Sequence, residues 1–210
     1  MAKKNLAVCI PSGRFVDYAF FSSFANSIGQ IMLKWNTAIF AASSPLIVEN
    51  RNELARRVMA FESKSALRFD YVLWLDTDIV FTFEQVQSLI SMLEGGKEFV
   101  SGVYYNPKGE GIIPVAYHKN KERYAPLSEG ELGGTIEVDA VGFGFCAMGA
   151  GLLRRSLEKY GNRPFDIRAF ADGGIVGEDQ IFCERAKELG AKIWLDTSIV
   201  VRHAKGFLPR

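Results

Sequence analysis

Asp70-Tyr71-Val72-Leu73-Trp74-Leu75-Asp76-Thr77-Asp78-Ile79-Val80-Phe81 is the stretch on which the reading of the fold turns. Tyr71 to Leu75 is a short apolar run of the kind that fills a strand buried on both faces, and it stops abruptly at two carboxylates. In a parallel sheet the C-terminal end of a central strand opens on the crevice where ligands bind. Asp76 and Asp78 are two residues apart, so a strand that continues through them projects both to one side. Carboxylates so close repel each other, and a shared divalent cation relieves that repulsion. A cation held there can in turn hold an anionic ligand such as a diphosphate.

The segments on either side repeat one plan. Residues 6–10 read as a first strand without polar interruption, ended by Pro11-Ser12-Gly13. Residues 16–33 space Phe20, Phe24 and Ile28 as the core face of a helix. A second strand at residues 37–42 ends at Ser43-Ser44-Pro45, and a helix from about Asn50 carries Leu54, Val58 and Phe61 inward. Arg51 and Asn52 then fall in its first turn, where the helix dipole disfavours a cation. Beyond Phe81, Thr82-Phe83-Glu84-Gln85 is a capping-box pattern, and its helix closes at Gly95-Gly96. Residues 99–105 are the next strand. Alternating strands and helices of this kind build a parallel sheet with covering helices.

The second half is less regular. Residues 109–134 are polar and charged, which suits strands and loops at an edge, with a short edge strand at 114–118. His118 has nothing near it at ligand spacing and reads as a surface residue. Residues 135–148 read as one glycine-interrupted strand in which Asp139 is flanked by apolar residues. Gly142 and Gly144 either admit a closely approaching ligand or mark a bulge, with Asp139 bonded to backbone. A short helix at residues 152–160 ends at Gly161. Glu178 and Asp179 open a helix with Ile181, Phe182, Ala186 and Leu189 inward, where acidic residues complement the dipole. Residues 191–195 and 198–201 are the last strands, followed by Arg202-His203-Ala204-Lys205-Gly206.

Composition narrows the classes. At 210 residues the chain suits one α/β domain, and it shows no repeat, linker or low-complexity tract. The 25 basic and 24 acidic residues nearly cancel, which argues against a nucleic-acid partner. Cys9, Cys146 and Cys183 cannot close a disulfide framework and read as buried thiols of a reducing compartment. No apolar run nears the roughly 18 residues that a membrane span needs, so no transmembrane segment and a cytoplasmic location are expected.

Taken together these residues resemble the GT-A-fold glycosyltransferases, over nearly the whole chain and in the family order. The likeness rests on an Asp-x-Asp motif at Asp76 and Asp78, a Glu-Asp motif at Glu178 and Asp179, and a His-x-x-Gly pattern at His203 and Gly206. It implies a single GT-A (Rossmann-like) domain, mainly a parallel central sheet flanked by helices with a smaller second sheet. Residues 1–105 would form the nucleotide-binding half and 106–210 the acceptor-binding half. The implied activity is metal-dependent hexosyl transfer from a nucleoside-diphosphate sugar, a UDP-sugar ahead of a GDP-sugar, to an acceptor hydroxyl. Asp78 and His203 would bind Mn²⁺ or Mg²⁺, with Asp76 on the ribose or a metal-bound water. Pro11, Ser12 and Arg51 would line the nucleotide, while Asp139 and Gly142 would face the acceptor. Asp179, with Glu178 beside it, would take the acceptor proton.

The family pattern of retaining enzymes continues with a Lys three residues after the Gly, where this chain has Pro209. Lys205 is then the residue to meet the diphosphate, on a tail expected to close over it. Two other classes compete with transfer. A nucleotide-sugar-binding module without activity would have no need of Glu178 and Asp179. A metal-dependent nucleotidyltransferase would show a Gly-rich phosphate loop with a Lys near the N-terminus, unlike Pro11-Ser12-Gly13-Arg14.

Overall fold

The structure is a computed structural model that describes residues 3–108 and 111–204. Among these, seven strands form the main sheet: β1 (Asn5–Ser12), β2 (Asn36–Ser43), β3 (Tyr71–Leu75), β4 (Phe99–Val103), β5 (Thr135–Val138), β6 (Phe145–Gly149) and β7 (Ile193–Val200). Their spatial order is β5-β7-β4-β6-β3-β1-β2. β1 pairs in parallel with both β2 and β3, and β4 pairs in parallel with β7. β6 runs antiparallel between β3 and β4, and β5 antiparallel along β7. The chain leaves β1 to one side for β2 and returns to the other side for β3. Such a reversal opens a crevice at the C-terminal ends of β1 and β3.

Strand alternation divides the apolar residues into two cores. Ala7, Cys9, Val72, Trp74, Cys146 and Met148 face one way. That side is covered by α2 (Ile47–Lys64), α4 (Ala150–Tyr160) and α5 (Glu178–Glu188). Leu6, Val8, Leu73, Leu75, Phe145 and Ala147 face the other way, under α1 (Tyr18–Lys34) and α3 (Phe83–Glu94). The fold is therefore α/β, with a mostly parallel sheet between helices. Cys9, Cys146 and Cys183 are buried free thiols whose pKa burial pushes up. No helix of the described residues is long and apolar enough to cross a membrane.

Local sequence explains several boundaries. Asp17 caps α1 by accepting a hydrogen bond from the Ala19 N–H at 2.7 Å. The capping box opens α3 as expected: the Gln85 side chain accepts from the Thr82 N–H at 2.8 Å, and Thr82 Oγ1 accepts from the Gln85 N–H at 3.4 Å. Gly161, at φ +65°, ends α4.

Other boundaries differ from the sequence reading. β1 does not stop at Ile10 but runs through Pro11 and Ser12, which pair with Ala42 and Ser43. Residues 135–148 are not one strand. They split into β5, the two-residue strand Ala140–Val141 and β6, because the apolar residues serve two sheets. Ala140–Val141 joins a small three-stranded sheet in which Ala116–Asn120 is the central strand, not an edge, with Arg123–Pro126 beyond it. The final two strands are one strand, β7, whose register shifts between Asp196 and Val200.

Candidate functional site

At the end of β3 the strand conformation stops with Leu75. The Ile79 N–H reaches the Asp76 carbonyl at 3.1 Å, so residues 76–79 form a turn and Asp76 and Asp78 do not share the alternation of a strand. Asp76 continues toward the side of Trp74, where α2 lies. Asp78 instead meets His203, whose Nε2 lies 3.2 Å from Asp78 Oδ2. His203 is brought there by the short strand Arg202–His203, which runs antiparallel to Ile79–Val80 and pairs His203 with Ile79. The Ala204 N–H also donates to the Asp78 carbonyl at 2.7 Å.

Arg51 is the centre of the neighbouring cluster. α2 begins at Ile47, three residues before the expected start, with Leu46 as a cap that offers no side-chain hydrogen bond. Arg51 therefore lies more than a turn inside the helix, away from its positive end, and is 1 % exposed. Its guanidinium is 3.2 Å from Asp76 Oδ2, 3.3 Å from Glu178 Oε1 and 3.2 Å from Asp179 Oδ1. The Phe143 ring lies under it at 5.2 Å. A buried guanidinium is tolerated only when paired, and here three carboxylates supply the partners. Burial alone would lower the Arg51 pKa, but Asp179, Asp76 and Glu178 raise it above its ordinary value.

The carboxylates carry the opposite strain. Asp76 and Asp179 each keep about a quarter of the side chain open, 23 % and 24 %. Burial nevertheless pushes Asp179 up to about 8, with Arg51 opposing and Glu178 and Asp76 reinforcing the rise. Asp76 is raised by the same cause, and Asp78 adds to it. One guanidinium faces three carboxylates, so negative charge remains in excess until a proton or another cation arrives. Asp179 Oδ2 accepts from the Phe143 N–H at 3.2 Å, which fixes the carboxyl on the first turn of α5. Among the described residues, Asp76 Oδ1 and His203 Nδ1 are buried without a hydrogen-bond partner.

Tyr104 was not singled out by any sequence motif. Its buried hydroxyl accepts from the Gly144 N–H at 3.2 Å, and its ring stands 5.8 Å from that of His203. Burial and the nearby Asp179 and Asp76 raise its pKa well above the usual value. Gly142 and Gly144 are glycines for this reason. A Cβ at Gly142 would overlap the Tyr104 hydroxyl, and one at Gly144 would lie 2.9 Å from it.

The remaining expected residues divide. Asn50 donates to the Ser12 carbonyl at 2.8 Å and to the Ser44 carbonyl at 3.2 Å, which places Pro11 and Ser12 beside the start of α2. Asp139 is engaged elsewhere. It accepts from the Lys119 N–H at 2.8 Å and pairs with Lys187, so it joins the small sheet to α5. His118 is half exposed and pairs with Glu131 at 2.9 Å. Lys205 and Gly206 lie outside the described residues.

No family model and no curated protein matches this chain. Among solved structures, the crystal structure of A197 from STIV is similar in fold, with a TM-score of 0.59 at 19 % identity. The likeness spans 93 % of this chain and 82 % of that one. It shows a shared architecture.

Whether the residues present suit a divalent cation can be asked of the donors. Among the described residues no set of three or more His, Cys, Asp or Glu side chains is arranged to hold a metal ion. The donor types do suit Mn²⁺ or Mg²⁺: Asp76 offers an unpartnered oxygen, Asp78 a second carboxylate and His203 an imidazole.

Proposed function

We propose that this chain is a GT-A-fold glycosyltransferase that moves a hexosyl group from a nucleoside-diphosphate sugar, UDP-linked in preference to GDP-linked, to an acceptor hydroxyl. One observation carries the reading. Four segments far apart in sequence converge where β3 ends, with Arg51 touching Asp76, Glu178 and Asp179 while His203 touches Asp78. Apart from Arg51, these are residues of the three motifs, and they lie at the edge of an α/β sheet where ligands bind. The negative excess around Arg51 calls for a cation and, through it, an anionic ligand.

Asp78 and His203, which already meet, would hold the Mn²⁺ or Mg²⁺, with Asp76 on the ribose or a metal-bound water, and the cation would neutralise the departing nucleoside diphosphate. Asp179 is the residue to accept the acceptor proton, because a carboxyl raised toward neutrality is a better base than an ordinary one. Arg51 and the Phe143 N–H hold it in place. The test is a panel of nucleotide sugars with Mn²⁺, in which slow hydrolysis of one donor identifies it. Asp78→Asn should abolish metal-dependent binding of UDP measured by calorimetry, and affinity unchanged by the substitution or by a chelator would refute the assignment. Asp179→Asn should bind donor normally and lose transfer by a factor on the order of 10².

A further inference from the structure

Helix α1 is inverted for a helix on a protein surface. It has one charged residue in seventeen, Lys34 at its last position. Its buried side includes Ser23 and Ser27 beside Phe20 and Ile31. Its open side presents Tyr18, 81 % exposed, Phe21 at 60 %, Leu33 at 75 % and Met32. At 100° per residue, Phe21, Met32, Ala25, Tyr18 and Gly29 share one outward stripe, bordered by Leu33. Phe15 and Val16 extend it before the helix begins, and both are exposed. Apolar surface in one contiguous strip of this size marks an interaction site.

The shape of the strip indicates its occupant. Ala25 and Gly29, one turn apart and both exposed, form a notch between larger side chains, which admits the backbone of another helix. A lipid surface needs no notch, and with only Arg14 and Lys34 at its two ends the strip offers little to anionic headgroups. Turned antiparallel upon itself about the centre of the notch, α1 sets Ala25 opposite Gly29 and Phe21 opposite Leu33. Such an arrangement satisfies two-fold symmetry, in which each contact occurs twice. The uncharged stripe brings no like charges together at its middle. The large side chains exposed on the strip offer on the order of 700 Å² per copy, close to the roughly 800 Å² that each partner contributes to a standard interface.

We propose that a second copy of this chain covers the strip, α1 packing antiparallel on α1 about a two-fold axis. The proposal is independent of the glycosyl-transfer reading. It has a consequence for the site, because the Asp17 N–H donates to the Thr77 carbonyl at 3.0 Å and so ties the start of α1 to the Asp76–Asp78 turn.

Light scattering after gel filtration, at tens of micromolar, should give twice the mass of one chain. Gly29→Glu should give a monomer with unchanged circular dichroism, because beyond the helix's own neighbouring backbone no described atom lies within 4 Å of a Cβ at that position. The natural cysteines are all buried, so added ones report the interface cleanly. Ala25→Cys and Gly29→Cys proteins mixed under mild oxidation should form a mixed disulfide. A monomer at every concentration, or a dimer that survives Gly29→Glu, overturns the proposal. Absence of the mixed disulfide overturns the antiparallel arrangement. Sedimentation of the wild-type protein with phosphatidylglycerol vesicles, lost in Phe21→Ser, would assign the strip to a lipid surface instead.

Discussion

Arg51, 1 % exposed and with three carboxylates against its guanidinium, leaves the surrounding acids to share one positive charge. Burial, with Glu178 and Asp76 adding to it and Arg51 opposing, makes Asp179 hold its proton more tightly than an unfolded carboxyl does, up to about 8 against about 3.9. A raised pKa means that the folded state binds the proton better. Its contribution to stability is then complete below about pH 4 and is lost as pH climbs toward 8. Asp179→Asn cannot suffer that loss. Thermal melting should therefore show the variant equal to wild type near pH 4 and progressively more stable as pH rises to 8.5. Equal melting at both pH values would mean that Asp179 is ionised in the folded protein. The positions of Glu178 and Asp179 were legible, because acidic residues before an apolar stripe start a helix. The burial of Arg51 was not. Leu46 is no capping residue, so the sequence placed the start of α2 three residues late and put Arg51 in a first turn.

At the scale of elements, contiguous apolar runs were easy to read and shared ones were not. β3 matches its sequence run from Tyr71 to Leu75, and the α3 capping box forms as its residues dictate. Residues 135–148 read as one strand because apolar residues look alike whichever sheet they serve. What distinguishes them is Tyr104, thirty-eight residues before Gly142 in sequence, seated against Gly142 and Gly144. A contact at that distance leaves no periodic trace. The fit predicts the effect of a single methyl group. Gly142→Ala drives a Cβ into the Tyr104 hydroxyl and into Val115, whose Cγ1 would be 2.6 Å away, so it should cost about 1–3 kcal/mol in urea denaturation. Tyr104→Phe in the same chain should recover part of the loss. A Gly142→Ala protein as stable as wild type would show that the segment 142–144 moves freely.

Over the whole molecule, the site depends on order along the chain more than on any one motif. β1, α2, β3 and α5 each contribute one edge, and the strand reversal at β1 brings those edges to one crevice. The sequence showed the motifs and their order, but not that Arg51 would join Asp76 to the Glu178–Asp179 pair 127 residues away. That linkage makes a prediction about ligands. The crevice has an excess of carboxylate, so a diphosphate alone is repelled from it, whereas a divalent cation is drawn in. Mn²⁺ alone should raise the melting temperature slightly, and UDP alone in the presence of a chelator should leave it unchanged. The two together should raise it by more than the sum, since each then neutralises the other. With the cation–UDP pair at about 100 times its joint dissociation constant, binding to the folded state adds on the order of 2.7 kcal/mol, or about 5–10 °C for a chain of this length. Asp78→Asn should remove the joint effect. A full shift from UDP in chelator would place the nucleotide on the protein without a cation, and the Asp76, Asp78 and His203 assignment would fall with it.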